Sequence, residues 1–325
     1  MLMRTKAAIA RLRAYKPPPF PVWDRLPVSR RAAVLMLLYA DRKGDLRVVI
    51  TMRAASLRSF SGHAALPGGK ADSIDETPYQ IARREASEEI GLPQDDVKIP
   101  APFRIEHLCD LPASLARTEL AVRPCVALLH ATDPPVAPGP VLKTPSVGPT
   151  VEESLIPRLD AKEVAAVFSA SFHNFLRMDD EAADSTELPP GKWYEGNWVT
   201  WNDEQWRMNF FYVPVTDQVV TKPRPKKGVV EEREGIDDSD ETEVEEHPGR
   251  YKVWGMTARM LVDAARIAYG EDPEFEHNIG MGDEEMITNL EKLGRLGPKK
   301  KGDVVVATRR ASISAEDGNG KGAKM

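Results

Sequence analysis

Apolar and β-branched positions cluster along this chain in short runs that predict strands. Arg31–Tyr39 and Leu46–Thr51 are two such runs, and the Asp41-Arg-Lys-Gly44 break between them predicts a hairpin. Further strands are predicted at Phe103–Leu108, Leu120–Leu129, Val164–Ser169, Trp198–Trp201 and Trp206–Val213. Two segments carry helical periodicity instead, Pro78–Ile90 and Gly255–Tyr269. Strands interspersed with few helices predict an α+β fold, a mixed sheet with helices on its faces.

Three stretches break this pattern. Asp133–Pro149 holds six prolines, too many rings without an amide hydrogen for a strand or helix, so residues 133–149 read as a loop. Glu231–Glu246 carries ten acids against one base, after a basic run at Lys222–Lys227, and residues 222–249 read as a disordered acidic insertion. Residues 1–30 read as a flexible, basic, proline-containing leader, with the body of the chain at 31–270. Residues 271–325 read as a mostly mobile tail with one weak helix at Asp283–Leu293.

Composition narrows the partners. The 325 residues carry 44 Lys plus Arg against 50 Asp plus Glu, a formal charge of -6, which gives no general attraction to nucleic acid or anionic lipid. The expected partner is a small molecule. Cys109 and Cys125 lack Cys-x-x-Cys spacing, which excludes a disulfide framework and suits a reducing compartment. The longest apolar run, Ala32–Ala40, falls far short of the ~18 residues that cross a bilayer. Arg4, Lys6, Arg11 and Arg13 give the leader some likeness to an organelle transit sequence, though it lacks the usual serines.

The chemistry is concentrated around the first helix. Thr77 is placed to cap it, with Pro78 at the first helical position, Gln80 completing a capping box, and Gly91 with Pro93 enforcing the stop. Ala82, Ala86 and Ile90 recur every four residues, a narrow stripe suited to close packing on a sheet. Glu85, Glu88 and Glu89 crowd three carboxylates into about one turn, which costs a few tenths of a kcal/mol per exposed like-charge pair. An acidic solvated face paired with Arg83 and Arg84 is one reading. A divalent-cation site is the other, because a hard ion reverses the sign of that repulsion. Upstream, Leu66-Pro67-Gly68-Gly69 is a turn where the main chain can approach a ligand closely.

Taken jointly, the glycine loop, Glu76 and Arg84-Glu85-x-x-Glu88-Glu89-x-Gly91-Leu92 resemble the Nudix hydrolase family. Six residues separate Gly69 from Glu76 where the family has five. The segment with Thr51, Arg53, Leu57, Arg58, Gly62, Pro67, Gly68 and Gly69 resembles the added signature of the coenzyme A diphosphatase branch, fungal and peroxisomal members above all, with Leu66 in place of the usual Phe.

That resemblance implies an α/β/α sandwich and hydrolysis of coenzyme A or acyl-coenzyme A to 3′,5′-ADP and 4′-phosphopantetheine or its acyl form. It implies Mg²⁺ or Mn²⁺ held by Gly69, Glu85, Glu88 and Glu89, the three glutamates being the catalytic candidates, with Glu76, Arg84 and Gly91 as structural positions. Arg53, Arg58 and Lys70 are the candidate phosphate anchors. The general base stays open among the box glutamates, Glu152, Glu153 and Glu163. Two alternatives also stay open: a Nudix enzyme for oxidised nucleoside triphosphates or ADP-ribose, and a non-catalytic Nudix-fold binding module. Trp193, Trp198, Trp201, Trp206 and Trp254 are expected in the core. The resemblance points to the peroxisome, although Gly322-Ala-Lys-Met325 differs from a Ser-Lys-Leu address, and mitochondrion and cytosol stay open.

Overall fold

A computed structural model describes residues 2–53, 63–132, 151, 164–181, 188–201, 204–216, 218, 220 and 249–298. The proline-rich loop at 133–149, nearly all of the acidic insertion at 222–249, and the tail from residue 299 lie outside the described residues. In chain order the helices are α1 (Met3–Ala14), α2 (Val22–Arg25), α3 (Pro78–Ile90), α4 (Gly255–Tyr269) and α5 (Glu284–Lys292). The strands are β1 (Arg31–Ala40), β2 (Leu46–Arg53), β3 (Ala64–Ala65), β4 (Gly68–Lys70), β5 (Phe103–Asp110), β6 (Ser114–Leu115), β7 (Ala121–Ala131), β8 (Val164–Ser171), β9 (Tyr194–Trp201), β10 (Glu204–Pro214) and β11 (Arg250–Trp254).

Strands β1 to β8 form one mixed sheet whose backbone order is β3-β2-β1-β7-β5, with β4 on β1, β6 on β7 and β8 on β2. β1 and β7 run parallel, and among the described residues every other pairing in the sheet is antiparallel. β9, β10 and β11 make a second, antiparallel sheet.

The two faces of the large sheet follow from alternation along its strands. On β1, Ala32, Met36 and Leu38 face a cluster shared with α1 and α4. Ala33, Leu35, Leu37 and Tyr39 face one shared with α3 and α5. A sheet apolar on both faces has to be covered twice, which gives the α/β/α sandwich. The Gly255–Tyr269 helix is as expected, stopped by Gly270 in the left-handed conformation.

The ends of the chain depart from the expected division. The supposed flexible leader holds helix α1, with Thr5, Ala8, Ile9 and Leu12 buried at i, i+3, i+4, i+7 spacing beneath an otherwise basic surface. Arg13 fastens it to Glu106 through two hydrogen bonds of 2.7 and 2.8 Å, and Thr5 donates to the Gly44 carbonyl at 2.7 Å. The basic residues masked a short apolar stripe.

The supposed mobile tail is likewise ordered as far as residue 298. Met286, Ile287, Leu290 and Leu296 join the core on the α3 face. Asp283 accepts from Arg259 at 2.5 Å and from the Leu115 amide at 2.8 Å, and Glu284 accepts from the Ala113 amide at 3.0 Å. The weak helix thus satisfies backbone groups around β6.

Leu12→Ala tests whether α1 is part of the core. We expect a loss of about 2–4 kcal/mol in a urea or guanidinium melt, where truncation in a solvated leader costs almost nothing.

Candidate active site

Helix α3 begins as its sequence dictates. Thr77 Oγ1 accepts from the Gln80 amide at 3.2 Å, and Gln80 Oε1 accepts from the Thr77 amide at 2.9 Å, closing the capping box ahead of Pro78. It ends at Gly91, whose φ of 68° is left-handed. Ile81, Ala82, Ala86 and Ile90 are buried against the sheet, so the expected small-residue stripe does set the packing face.

That packing brings the acidic face onto β4. Gly68 and Gly69 pair with Val34 and Ala33 of β1. The Gly68 amide donates to Glu89 Oε2 at 2.9 Å. A Cβ on Gly69 would run into the Glu85 carboxylate, and one on Gly68 would strike the β1 backbone. Gly68 thus offers its amide to Glu89 while lying against β1, and Gly69 leaves the space that Glu85 fills, so a side chain at 69 would push Glu85 off and one at 68 would push β4 away from β1.

Arg84 holds the arrangement from the other side. It donates to Glu76 Oε1 at 2.8 Å, Glu85 Oε1 at 3.0 Å and the Lys70 carbonyl at 2.8 Å, and lies 3.6 Å from Glu88 and 3.4 Å from Asp72. Glu76 Oε2 in turn accepts from the amides of Asp72 and Ser73, so this acid organises the loop between β4 and α3. Asp72 did not feature among the expected site residues. Its signal was position alone, four residues before Glu76.

The electrostatics separate the acids. Burial of Glu85 raises its pKa above the ordinary carboxylate range, nearby Glu88 and Asp72 push the same way, and Arg84 only partly offsets them. For Glu76, burial also acts upward, but Arg84 and the two loop amides outweigh it and hold the carboxyl low. The side chain of Glu85 is 18% exposed and that of Glu88 49% exposed, so one acid is half-buried among like charges while the other reaches solvent.

The structure thus brings Glu85 and Glu89 onto the glycine pair, with Glu88 on the solvent side. Among the described residues, the trio whose ligand atoms lie within 4.8 Å of one another is His107, Asp110 and Cys125, and not these three glutamates. The donor set nonetheless suits a hard divalent cation. It consists of carboxylate oxygens beside an open glycine backbone, with Glu85 disfavoured as a bare anion.

The proposed phosphate anchors are less closely gathered. Arg53 ends β2, its amide donating to the His63 carbonyl at 3.0 Å, and its buried Nε finds no acceptor among the described residues. Lys70 is exposed on β4 and contributes its carbonyl to Arg84. Arg58 lies outside the described residues, as do Leu57, Gly62, Glu152, Glu153 and Glu163. His63 packs against Trp254 at 4.8 Å between ring centres, and burial, with Arg53 and Lys252 nearby, lowers its pKa. Of the tryptophans, Trp193 is in the core, whereas Trp198 is exposed and donates to Glu276.

Residues 29–112 match the NUDIX domain profile. The chain is 31% identical over 276 residues to peroxisomal coenzyme A diphosphatase 1 of Saccharomyces cerevisiae, covering 82% of this chain and 77% of that one. It is 30% identical over 249 residues to the chloroplastic Nudix hydrolase 22 of Arabidopsis thaliana, covering 76% of this chain and 58% of the plant protein. A stretch of 100 residues is 36% identical to a peroxisomal coenzyme A diphosphatase of Caenorhabditis elegans, covering 30% of this chain and 40% of the worm protein.

Two measurements probe this geometry. Because the pKa of Glu85 is raised, the folded chain holds that proton more tightly than the unfolded chain does. Its contribution to stability is therefore present below the ordinary carboxylate range and lost as pH rises through the folded value. In chelator, Glu85→Gln is expected to melt about 1–3 °C above the parent at pH 7, with the gap closing near pH 4. Gly69→Ala is expected to displace the Glu85 carboxylate. Calorimetric Mn²⁺ affinity should fall at least about tenfold while the far-ultraviolet circular dichroism is unchanged.

Proposed function

The chain belongs to the Nudix hydrolases, enzymes that generally work with divalent metal ions, and from that premise we propose that it cleaves the diphosphate linkage of coenzyme A or an acyl derivative. The products are 3′,5′-ADP and 4′-phosphopantetheine, free or acylated. The observation that carries the catalytic part is the seating of Glu85 and Glu89 on Gly69 and Gly68, which turns a repulsive acidic face into a set of oxygen donors. The likeness to the yeast coenzyme A diphosphatase over most of both chains supports the substrate, as does the presence of Thr51, Arg53, Arg58 and Pro67 ahead of the glycines.

In this reading Glu85, Glu88 and Glu89, with the carbonyl of Gly69, hold Mg²⁺ or Mn²⁺. The ion supplies charge neutralisation of the diphosphate and a more acidic water. The protein's own residues do the rest. Arg84 keeps Glu85 oriented by a direct hydrogen bond, and Glu76 fixes Arg84 by accepting at Nε. Arg53 and Arg58 take anionic oxygens of the substrate away from the glutamates, Lys70 lies on the exposed rim of β4, and a box glutamate accepts the proton of the attacking water. Gly91 ends α3 so that the chain turns away immediately after Glu89 and Ile90.

The likeness to the yeast and worm enzymes also supports a peroxisomal location. Among the described residues no helix is long and apolar enough to cross a membrane.

The decisive assay incubates the purified chain with Mg²⁺ or Mn²⁺ and coenzyme A and identifies products by mass spectrometry. We expect 3′,5′-ADP and 4′-phosphopantetheine, with Glu85→Gln and Glu88→Gln each lowering kcat by about 10²-fold or more. Intact coenzyme A beside a cleaved nucleoside triphosphate or ADP-ribose would assign the chain to another Nudix substrate. Unchanged turnover in Glu88→Gln would exclude the catalytic role of that residue.

A further inference from the structure

Outside the glutamate site, one group of side chains has donor chemistry that the proposed hydrolysis does not use. His107 and Asp110 lie on β5 and Cys125 on β7, and their ligand atoms all lie within 4.8 Å of one another. His107 Nε2 is 2.9 Å from Asp110 Oδ1. Asp110 sits directly across the ladder from Cys125.

The backbone has been altered to make this grouping. Residues three apart on a regular strand point to opposite faces. Between His107 and Cys109 the ladder slips, with His107 opposite Ala127, Cys109 opposite Val126, and Leu108 left over as a bulge. Leu108 and Cys109 consequently both turn into the core on the α4 face, and His107 and Asp110 come to lie on the same side as Cys125, the α3 face. Bulges re-aim side chains at the expense of ladder hydrogen bonding, so a bulge that unites three different donors is informative.

The surroundings also restrain the group. Tyr79 of α3 stacks on the His107 ring at 4.1 Å and 11°, and the Tyr79 hydroxyl accepts from Arg83 at 3.1 Å. The nearby cation Arg123 is engaged elsewhere, donating to the Leu111 carbonyl and pairing with Glu284 at 3.3 Å.

We propose that His107, Asp110 and Cys125 form a second metal site, for a borderline-soft ion such as Zn²⁺, separate from the all-oxygen glutamate site. Imidazole nitrogen, carboxylate oxygen and thiolate sulfur together favour Zn²⁺ over Mg²⁺, and three protein ligands leave one tetrahedral position for water. Binding replaces the Cys125 thiol proton, which leaves to solvent. The ion would fasten the edge strand β5 to β7 beneath the first turn of α3.

The test is a Co²⁺ titration of the full chain after chelation, with excess Mg²⁺ present to occupy the glutamates. The expected result is one equivalent of tightly bound Co²⁺ with a near-ultraviolet thiolate-to-cobalt charge-transfer band that Zn²⁺ abolishes. Cys125→Ala should remove the band and His107→Ala should weaken Co²⁺ binding at least about tenfold, while Cys109→Ala and Glu88→Gln keep both. His107 is at the surface, so its variant keeps the core intact even if Cys125→Ala does not fold. Absence of a thiolate band in the parent chain, a band that survives Cys125→Ala, or binding lost only with the glutamates overturns the site. None of these outcomes depends on the identity of the hydrolysed substrate.

Discussion

The site depends on a close approach between helix and strand that only glycine permits. α3 carries its acids to the backbone of β4, and β4 is itself paired to β1 at the centre of the sheet. Gly69 presents no side chain on the helix side, so Glu85 lies against a bare Cα, while Gly68, which fits against the β1 backbone only without a side chain, offers its amide to Glu89. Ala82 and Ala86 provide the matching condition on the helix, since larger residues would hold α3 away from β1. Small groups on both partners therefore fix the distance at which the carboxylates stand.

The same closeness creates an electrostatic imbalance that the protein only partly relieves. Arg84 is shared among Glu76, Glu85, Glu88 and the Lys70 carbonyl, and Glu76 is the acid that it stabilises best. Glu85 remains disfavoured as an anion because burial acts on it before any charge does. A helix selected for stability alone would avoid such a group, and an adjacent cation would offset its cost.

Much of this was legible in the sequence because it is local. The α3 boundaries follow from Thr77, Pro78, Gln80 and Gly91, and the core strands follow from alternation and β-branched content. The glutamate spacing needs nothing beyond helical periodicity. What stayed hidden was nonlocal. The buried apolar face of α1 is only Ala8, Ile9 and Leu12 beneath a basic surface, and its partner α4 lies more than two hundred residues away. The order in residues 271–298 depends on Asp283 and Glu284 meeting the amides of Leu115 and Ala113, which no window of sequence reveals. The bulge at Leu108 is equally invisible to pattern, because one unpaired residue shifts the faces without changing composition. The seating of Glu85 on Gly69 is a contact across the loop, which spacing suggests but cannot place.

The docking of α1 sets a limit on how the chain can be addressed and trimmed. Its arginines are at the surface, but Ala8, Ile9 and Leu12 are under α4 and belong to the folded interior. A receptor that grips the apolar side of such a helix must do so before the domain closes. A processing peptidase cutting after Ala14 would strip α1 from α4 and β5 and bare the apolar side chains it covers there, an oily scar where a finished surface should be.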